Sequence, residues 1–181
     1  MTRIYVDPSK QGKSSPIWRP MGPTDLPAVM RIAALVHPDY PEDEAVFAER
    51  LALAPAGCLV LAGKSGELSG YVVSHPWPRG SLPALNSLLG ATPAGTHDWY
   101  LHDLALLPAA RGGGHAGSGV SRIVSTARDA RCEAIALVAV NGSAGFWERQ
   151  GFRPADDPAL AAKLASYDDA ARYMMRDLAR D

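Results

Sequence analysis

Two cysteines, Cys58 and Cys132, are all that 181 residues contain, and they lie far apart with no metal-ligand spacing around either. That argues against a disulfide framework and against a zinc site, and leaves two free thiols suited to a reducing compartment. Long hydrophobic runs are missing too. No stretch approaches the length of a membrane span, and Met1 to Pro8 lacks the apolar core of a signal peptide, so the expected location is the cytoplasm. Charge of one sign is also lacking. With 18 basic and 19 acidic residues the net charge is −1, and no basic run concentrates on one segment. Neither nucleic acid nor a membrane surface is expected as a partner. Internal repeats and low-complexity tracts are absent. Nearly half of the chain, 47%, is hydrophobic, enough to bury one sizeable core. Residues 1–15 are polar and broken by Pro8, Gly12 and Ser14-Ser15, which predicts a flexible N-terminal arm before a single domain over 16–181.

Glycine is not scarce, and its placement is informative. Leu101-His-Asp-Leu-Ala-Leu-Leu-Pro-Ala-Ala-Arg111-Gly-Gly-Gly-His-Ala116 reads as an apolar strand, a short turn, and a glycine cluster opening a helix. Glycines allow a phosphate to approach the backbone, the first amides of a helix have no internal acceptor, and the helix dipole favours negative charge there. Arg111 adds positive charge, so a phosphorylated cofactor is the expected guest. Gly112, Gly114 and Gly117 also satisfy G-x-G-x-x-G, with Glu133 about 20 residues on, as in a dinucleotide site. Against that NAD(P)-binding reading, Pro108-Ala-Ala-Arg separates strand from glycines. A Walker loop fails because Ser118-Gly119 follows where Lys-Ser/Thr is needed.

Arg111, Gly114 and Ala116 fit Arg/Gln-x-x-Gly-x-Gly/Ala, and Gly145-Phe-Trp-Glu-Arg-Gln-Gly-Phe152 follows at about the right distance. Together these blocks, over roughly 98 to 153, resemble the GNAT N-acyltransferase superfamily. The resemblance implies a mixed α/β (α+β) fold: a sheet of about six to seven strands flanked by helices, with a splay between two central parallel strands. It implies acetyl-CoA as acyl donor and a small-molecule or peptide amine as acceptor. Leu104, Ala105 and Leu106 would line the cofactor with main chain, Arg111, Gly112, Gly113, Gly114, His115 and Ala116 would surround its phosphates, Asn141 would bond the pantetheine, and Phe146 and Trp147 would wall the arm. A homodimer through terminal strands is compatible with it. A non-catalytic acyl-CoA sensor is the alternative function.

Along the chain, a strand is expected at Ile17-Trp-Arg-Pro-Met, then a helix after Thr24-Asp25 that ends at His37-Pro38, and a helix beginning at Pro41-Glu-Asp-Glu. Residues 57–62 and 68–74 read as a hairpin. The irregular stretch from His75 to Gly95 is long enough to be functional and is expected to form one wall of the acceptor pocket. Trp99 to Leu106 reads as the central strand, Gly114 to Arg128 as a helix, Glu133 to Val140 as a buried strand, Ser143 to Gln150 as a helix, and Ala171 to Leu178 as the last strand.

Acyl transfer to an amine needs a base for the ammonium, stabilisation of the carbonyl oxygen, and a proton for the leaving thiolate. Strict alternation places Tyr100, His102, Leu104 and Leu106 on one face and Leu101, Asp103 and Ala105 on the other. His102 is the expected base, with Asp103 its replacement if a bulge inverts the alternation. Trp147 stands where many relatives carry a tyrosine and has no usable proton, so Tyr173 on the last strand is the candidate acid. No metal is expected.

Overall fold

The computed structural model describes residues 15–165, 167 and 169–179. The expected N-terminal arm, apart from Ser15, lies outside the described residues. In chain order the elements are β1 (Ile17–Pro20), α1 (Leu26–Val36), α2 (Glu44–Leu53), β2 (Cys58–Ala62), β3 (Leu68–Pro76), β4 (Asp98–Leu106), α3 (His115–Asp129), β5 (Ala134–Ala139), α4 (Ala144–Arg149), β6 (Arg153–Pro154), α5 (Ala161–Ala165) and β7 (Arg172–Asp177). The strands form one sheet in the order β1-β2-β3-β4-β5-β7-β6. Only β4 and β5 are parallel neighbours. The doubly wound parallel sheet that a dinucleotide site would require is therefore not formed.

Two apolar layers sandwich the sheet. On one face α3 and α4 bury Ile123, Val124 and Trp147 against Leu61, Val72, Leu101 and Leu137. On the other, α1 and α2 bury Val29, Ile32, Phe47 and Leu51 against Val60, Tyr71, Val73 and Ala105. α1 begins where predicted, directly after a 3₁₀ turn at Pro23–Asp25; the Asp25 side chain does not cap α1 but accepts the Gly22 amide at 2.8 Å and is gripped by Arg19 at 2.7 and 2.8 Å. The second helix starts later than its sequence suggests, at Glu44 and not at Pro41. Asp43 is extended (φ −72°, ψ 152°), its amide donates to Asn86 Oδ1 at 2.7 Å, and Glu42 is engaged elsewhere, so residues 41–43 are drawn out of helical geometry toward the long loop.

Two departures from regularity in β4 position the site. Opposite β3 the register runs Val73↔Asp103 and then Ser74↔Leu101, leaving His102 as the extra residue of a bulge. Strict alternation is broken there. Trp99, Leu101, Leu104 and Leu106 share the α3 side, while Asp103 and Ala105 turn to the α1/α2 side, where His102 also finds its contacts. Opposite β5, pairing covers only Asp98↔Ala134, Trp99↔Ile135 and Tyr100↔Ala136. Beyond Tyr100 the two parallel strands separate, which is the expected splay.

Candidate active site

The splay opens into a cleft of about 240 Å³. Leu101 to Leu104 form one wall and Leu137, Val138, Val140 and Asn141, with Phe146 and Trp147, form the other; His37, Tyr40, Glu42, Leu85 and Tyr167 close its far side. Four titratable side chains from three segments meet in it as two histidine–carboxylate pairs. His102 Nε2 lies 2.7 Å from Glu42 Oε2, with both side chains nearly buried. His37 Nε2 lies 3.1 Å from Asp103 Oδ1, and the Tyr71 hydroxyl donates to Asp103 Oδ2.

The environments of the two pairs differ. Burial pushes the Glu42 carboxyl up, but its bonds with His102 and the Asn86 amide outweigh that and hold it below its ordinary value. An ionised carboxylate only accepts, so the proton of a neutral His102 sits on Nε2 and the lone pair on Nδ1. Burial pulls His37 down, and Arg111 pulls the same way, but Asp103 and the Leu104 backbone prevail and its pKa is raised. For Asp103 burial acts upward and is outweighed by His37 and Tyr71, giving a lowered pKa. The raised His37 and lowered Asp103 thus favour the charged pair, while a neutral His102 beside Glu42 would keep Nδ1 as an acceptor. Both expected base candidates, His102 and Asp103, are in the cleft, on the same side of the sheet. Asp103 has both carboxylate oxygens engaged.

Beside the cleft, the turn before α3 has the character expected of an anion cradle. Gly112 and Gly114 have φ of +81° and +76°, and a Cβ at either would meet nothing within 4 Å, so the turn is open on its outer side. Residues 111–114 are exposed, and α3 starts immediately after Gly114. Arg111 Nε donates to the Leu106 carbonyl at 3.1 Å, which holds the guanidinium between the end of β4 and the glycines. The His115 carbonyl accepts the Trp18 indole N–H at 2.8 Å, anchoring the first turn of α3 to β1. The His115 ring lies over Gly113, about 3.1 Å from where a Cβ would be. Ala116 is half-buried against the α3-side core.

Of the other predicted contacts, Leu104, Asn141, Phe146 and Trp147 line the cleft, with Asn141 in a left-handed conformation (φ 53°) just after β5. Ala105 and Leu106, expected to offer main chain alone, have their side chains buried on opposite faces of the sheet. Tyr173 is outside the lining. Its hydroxyl accepts the Gly80 amide at 3.2 Å, and its ring packs with Leu82, Tyr100 and Leu160 below the splay, so the sequence-based choice of acid is not brought to the cleft. Tyr167 is: it faces Tyr40 at 6.2 Å between ring centroids. Glu42, His37 and Tyr167 escaped sequence reading as chemical groups.

Residues 26–152 match the acetyltransferase (GNAT) family. The chain belongs to that family. By sequence it matches no curated protein. Among solved structures, Ard1 from Thermoplasma volcanium superposes with a TM-score of 0.70 at 17% identity, covering 91% of this chain and 98% of that one. A GNAT-like decarboxylase, GphF, in complex with isobutyryl-CoA gives 0.68 at 17% identity over 90% and 99%. N-acetylglutamate synthase from Neisseria gonorrhoeae, complexed with coenzyme A and N-acetyl-glutamate, gives 0.65 at 17% identity and covers 91% of this chain but 35% of its own. At these identities the likeness is one of fold.

Proposed function

We propose that this protein is an acyl-CoA-dependent N-acyltransferase that moves an acetyl group from acetyl-CoA to a primary amine by direct attack, without a covalent enzyme intermediate. The observation that carries this reading is the convergence of the splay, the open glycine turn at α3 and the Glu42–His102 pair on one cleft. Acetyl-CoA would supply the activated acyl group. Arg111, Gly112 to Gly114 and the first amides of α3 suit its phosphates, and Leu104, Asn141, Phe146 and Trp147 suit the arm.

His102 Nδ1 is the proton acceptor in this reading, with Glu42 fixing the tautomer from the other nitrogen. His37, paired to Asp103 and with its pKa raised, is less suited to that task. Tyr167 lines the same cleft, and its phenol is held protonated by burial and by Glu42, so it is the group available to protonate a departing thiolate where Trp147 cannot.

Calorimetric titration with acetyl-CoA, and with NADH in parallel, tests the cofactor. The expected result is acetyl-CoA binding that disappears in an Arg111→Ala/Gly114→Glu double variant, with thiol release once an amine acceptor is added. Binding of NADH without acetyl-CoA would overturn the reading. Acetyl-CoA binding without turnover on any amine would favour a sensor domain. A His102→Ala variant that binds acetyl-CoA but no longer turns over supports His102 as the base, and unchanged turnover removes it.

A further inference from the structure

The acceptor side of the cleft is defined as much by the cations it withholds as by the carboxylates it presents. Arg50 is fully buried beneath it with Nη1 on Glu49 Oε2 at 2.8 Å, and does not line the cleft. His37 has Asp103 on one side and the Leu104 backbone on the other. Among the described residues, neither Lys nor Arg lines the cleft. What does face the acceptor is Glu42 with His102, in a wall otherwise built from Tyr40, Pro83, Leu85, Tyr100 and Tyr167. Resting on the acyltransferase reading above, we propose that the acceptor is a small primary amine with an apolar or aromatic body and no carboxylate or phosphate beside its amino group.

The ammonium of such an amine meets Glu42 and the aromatic rings, both favourable to a cation. An α-carboxylate on the same molecule would leave water with no Lys or Arg in the described lining to pair with it, and would be brought close to Glu42 and Asp103. The site discriminates by what it fails to satisfy. Size follows from the closed side of the cleft. Tyr40 and Tyr167 bring the α1–α2 connection against the segment after α5, and Leu85 comes from a loop that is itself fixed: Asn86 donates its amide to Glu42 at 2.9 Å, and Glu49 accepts the Leu89 and Gly90 amides at 2.7 and 2.9 Å. These ties favour an enclosed pocket over an open groove.

Matched pairs that differ only in the carboxylate decide the matter. Acetyl-CoA-dependent thiol release is measured with 2-phenylethylamine against phenylalanine, and with a short methionine-initiated peptide amide as a third acceptor. The expected kcat/KM for 2-phenylethylamine exceeds that for phenylalanine by roughly a hundredfold or more. Leu85→Arg, which places a cation in the wall, should move that ratio toward phenylalanine by about tenfold or more. Equal or better use of phenylalanine, preference for the peptide amide, or no turnover of 2-phenylethylamine would each overturn the proposal. Calorimetry with acetyl-CoA keeps the two readings apart: failure to bind acetyl-CoA sinks the acyltransferase reading, whereas binding with transfer only to carboxylated or peptide amines sinks the substrate class alone.

Discussion

Glu42 has a partner on each oxygen, and that double engagement makes it testable. Asn86 N–H donates to Oε1 at 2.9 Å while Oε2 faces His102 Nε2. In Glu42→Gln the amide oxygen is the atom that can still accept from Asn86, so the new NH₂ is turned toward His102. His102 must then accept at Nε2 and carry its proton on Nδ1, the atom proposed to take the proton of the acceptor amine. The expected outcome is a fall in kcat of up to about 10⁴-fold, the scale of a wrong-tautomer defect, with the acetyl-CoA dissociation constant unchanged in calorimetry. A loss of less than about tenfold would show that Glu42 does not set the tautomer. His102 and Asp103 were visible in the sequence because they sit in the strand that the glycine motif identifies. Glu42 was not, since it lies 60 residues away from His102 and reaches it only through the α1–α2 connection. Tyr173 is suggested by its strand, but nothing in an isolated strand tells that its ring packs with Leu82, Tyr100 and Leu160 outside the cleft.

At the level of elements, the cofactor turn is only as well placed as the helix behind it. Gly119 in the middle of α3 lies flat on the Trp18 ring, and an added Cβ would come within 2.8 Å of Cζ2 and 2.9 Å of Cε2. Those atoms belong to the indole whose N–H holds the His115 carbonyl. Ala would gain helix propensity elsewhere, but here it must push α3 away from β1, at a cost of about 1–3 kcal/mol for overpacking. Gly119→Ala should therefore lower the denaturation midpoint and also weaken acetyl-CoA binding several-fold, although the residue is buried and outside the turn. Loss of stability with full affinity would mean that the turn keeps its place independently of Trp18. The strands and long helices were legible because burial on one or both faces writes its period into the chain. β6, two residues long, carries no period, and the bulge at His102 left no signature, because one extra residue in an apolar strand changes facing without changing composition. The start of α2 was misplaced for a different reason: acidic residues at 42–43 look like a first turn until the loop that binds them is in view.

For the whole molecule, the polar groups packed between the sheet and α1/α2 tie the site to global stability through pH. His75, on β3, is fully buried among the rings of Trp77, Tyr100 and His102, with Nδ1–H donating to the Pro76 carbonyl at 3.1 Å and Nε2 without a partner among the described residues. Burial brings its pKa down to about 3; His102 and Arg50 act in the same direction, against the Pro76 carbonyl. The unfolded chain protonates this imidazole near pH 6.5, and the folded chain does not until about 3, so between those limits unfolding takes up one proton. Stability then falls as pH falls, by about 1.4 kcal/mol per pH unit from this group once pH is well below 6.5. His37 acts oppositely: its folded pKa is raised, so its contribution is complete below about 6.5 and is lost as pH rises through the folded value. Glu42 and Asp103, both lowered, stabilise above their unfolded values and lose that contribution as pH falls through the folded ones. His75 is the group whose effect begins at the highest pH on the acid side, so its removal is distinguishable from theirs. In His75→Phe the slope of unfolding free energy against pH between about 6 and 5, measured by urea denaturation, should decrease by close to one proton's worth, whatever the offset at pH 8. An unchanged slope would mean that the folded protein already accommodates a charged imidazole at that position, and that the ring cluster beneath the cleft is open to water.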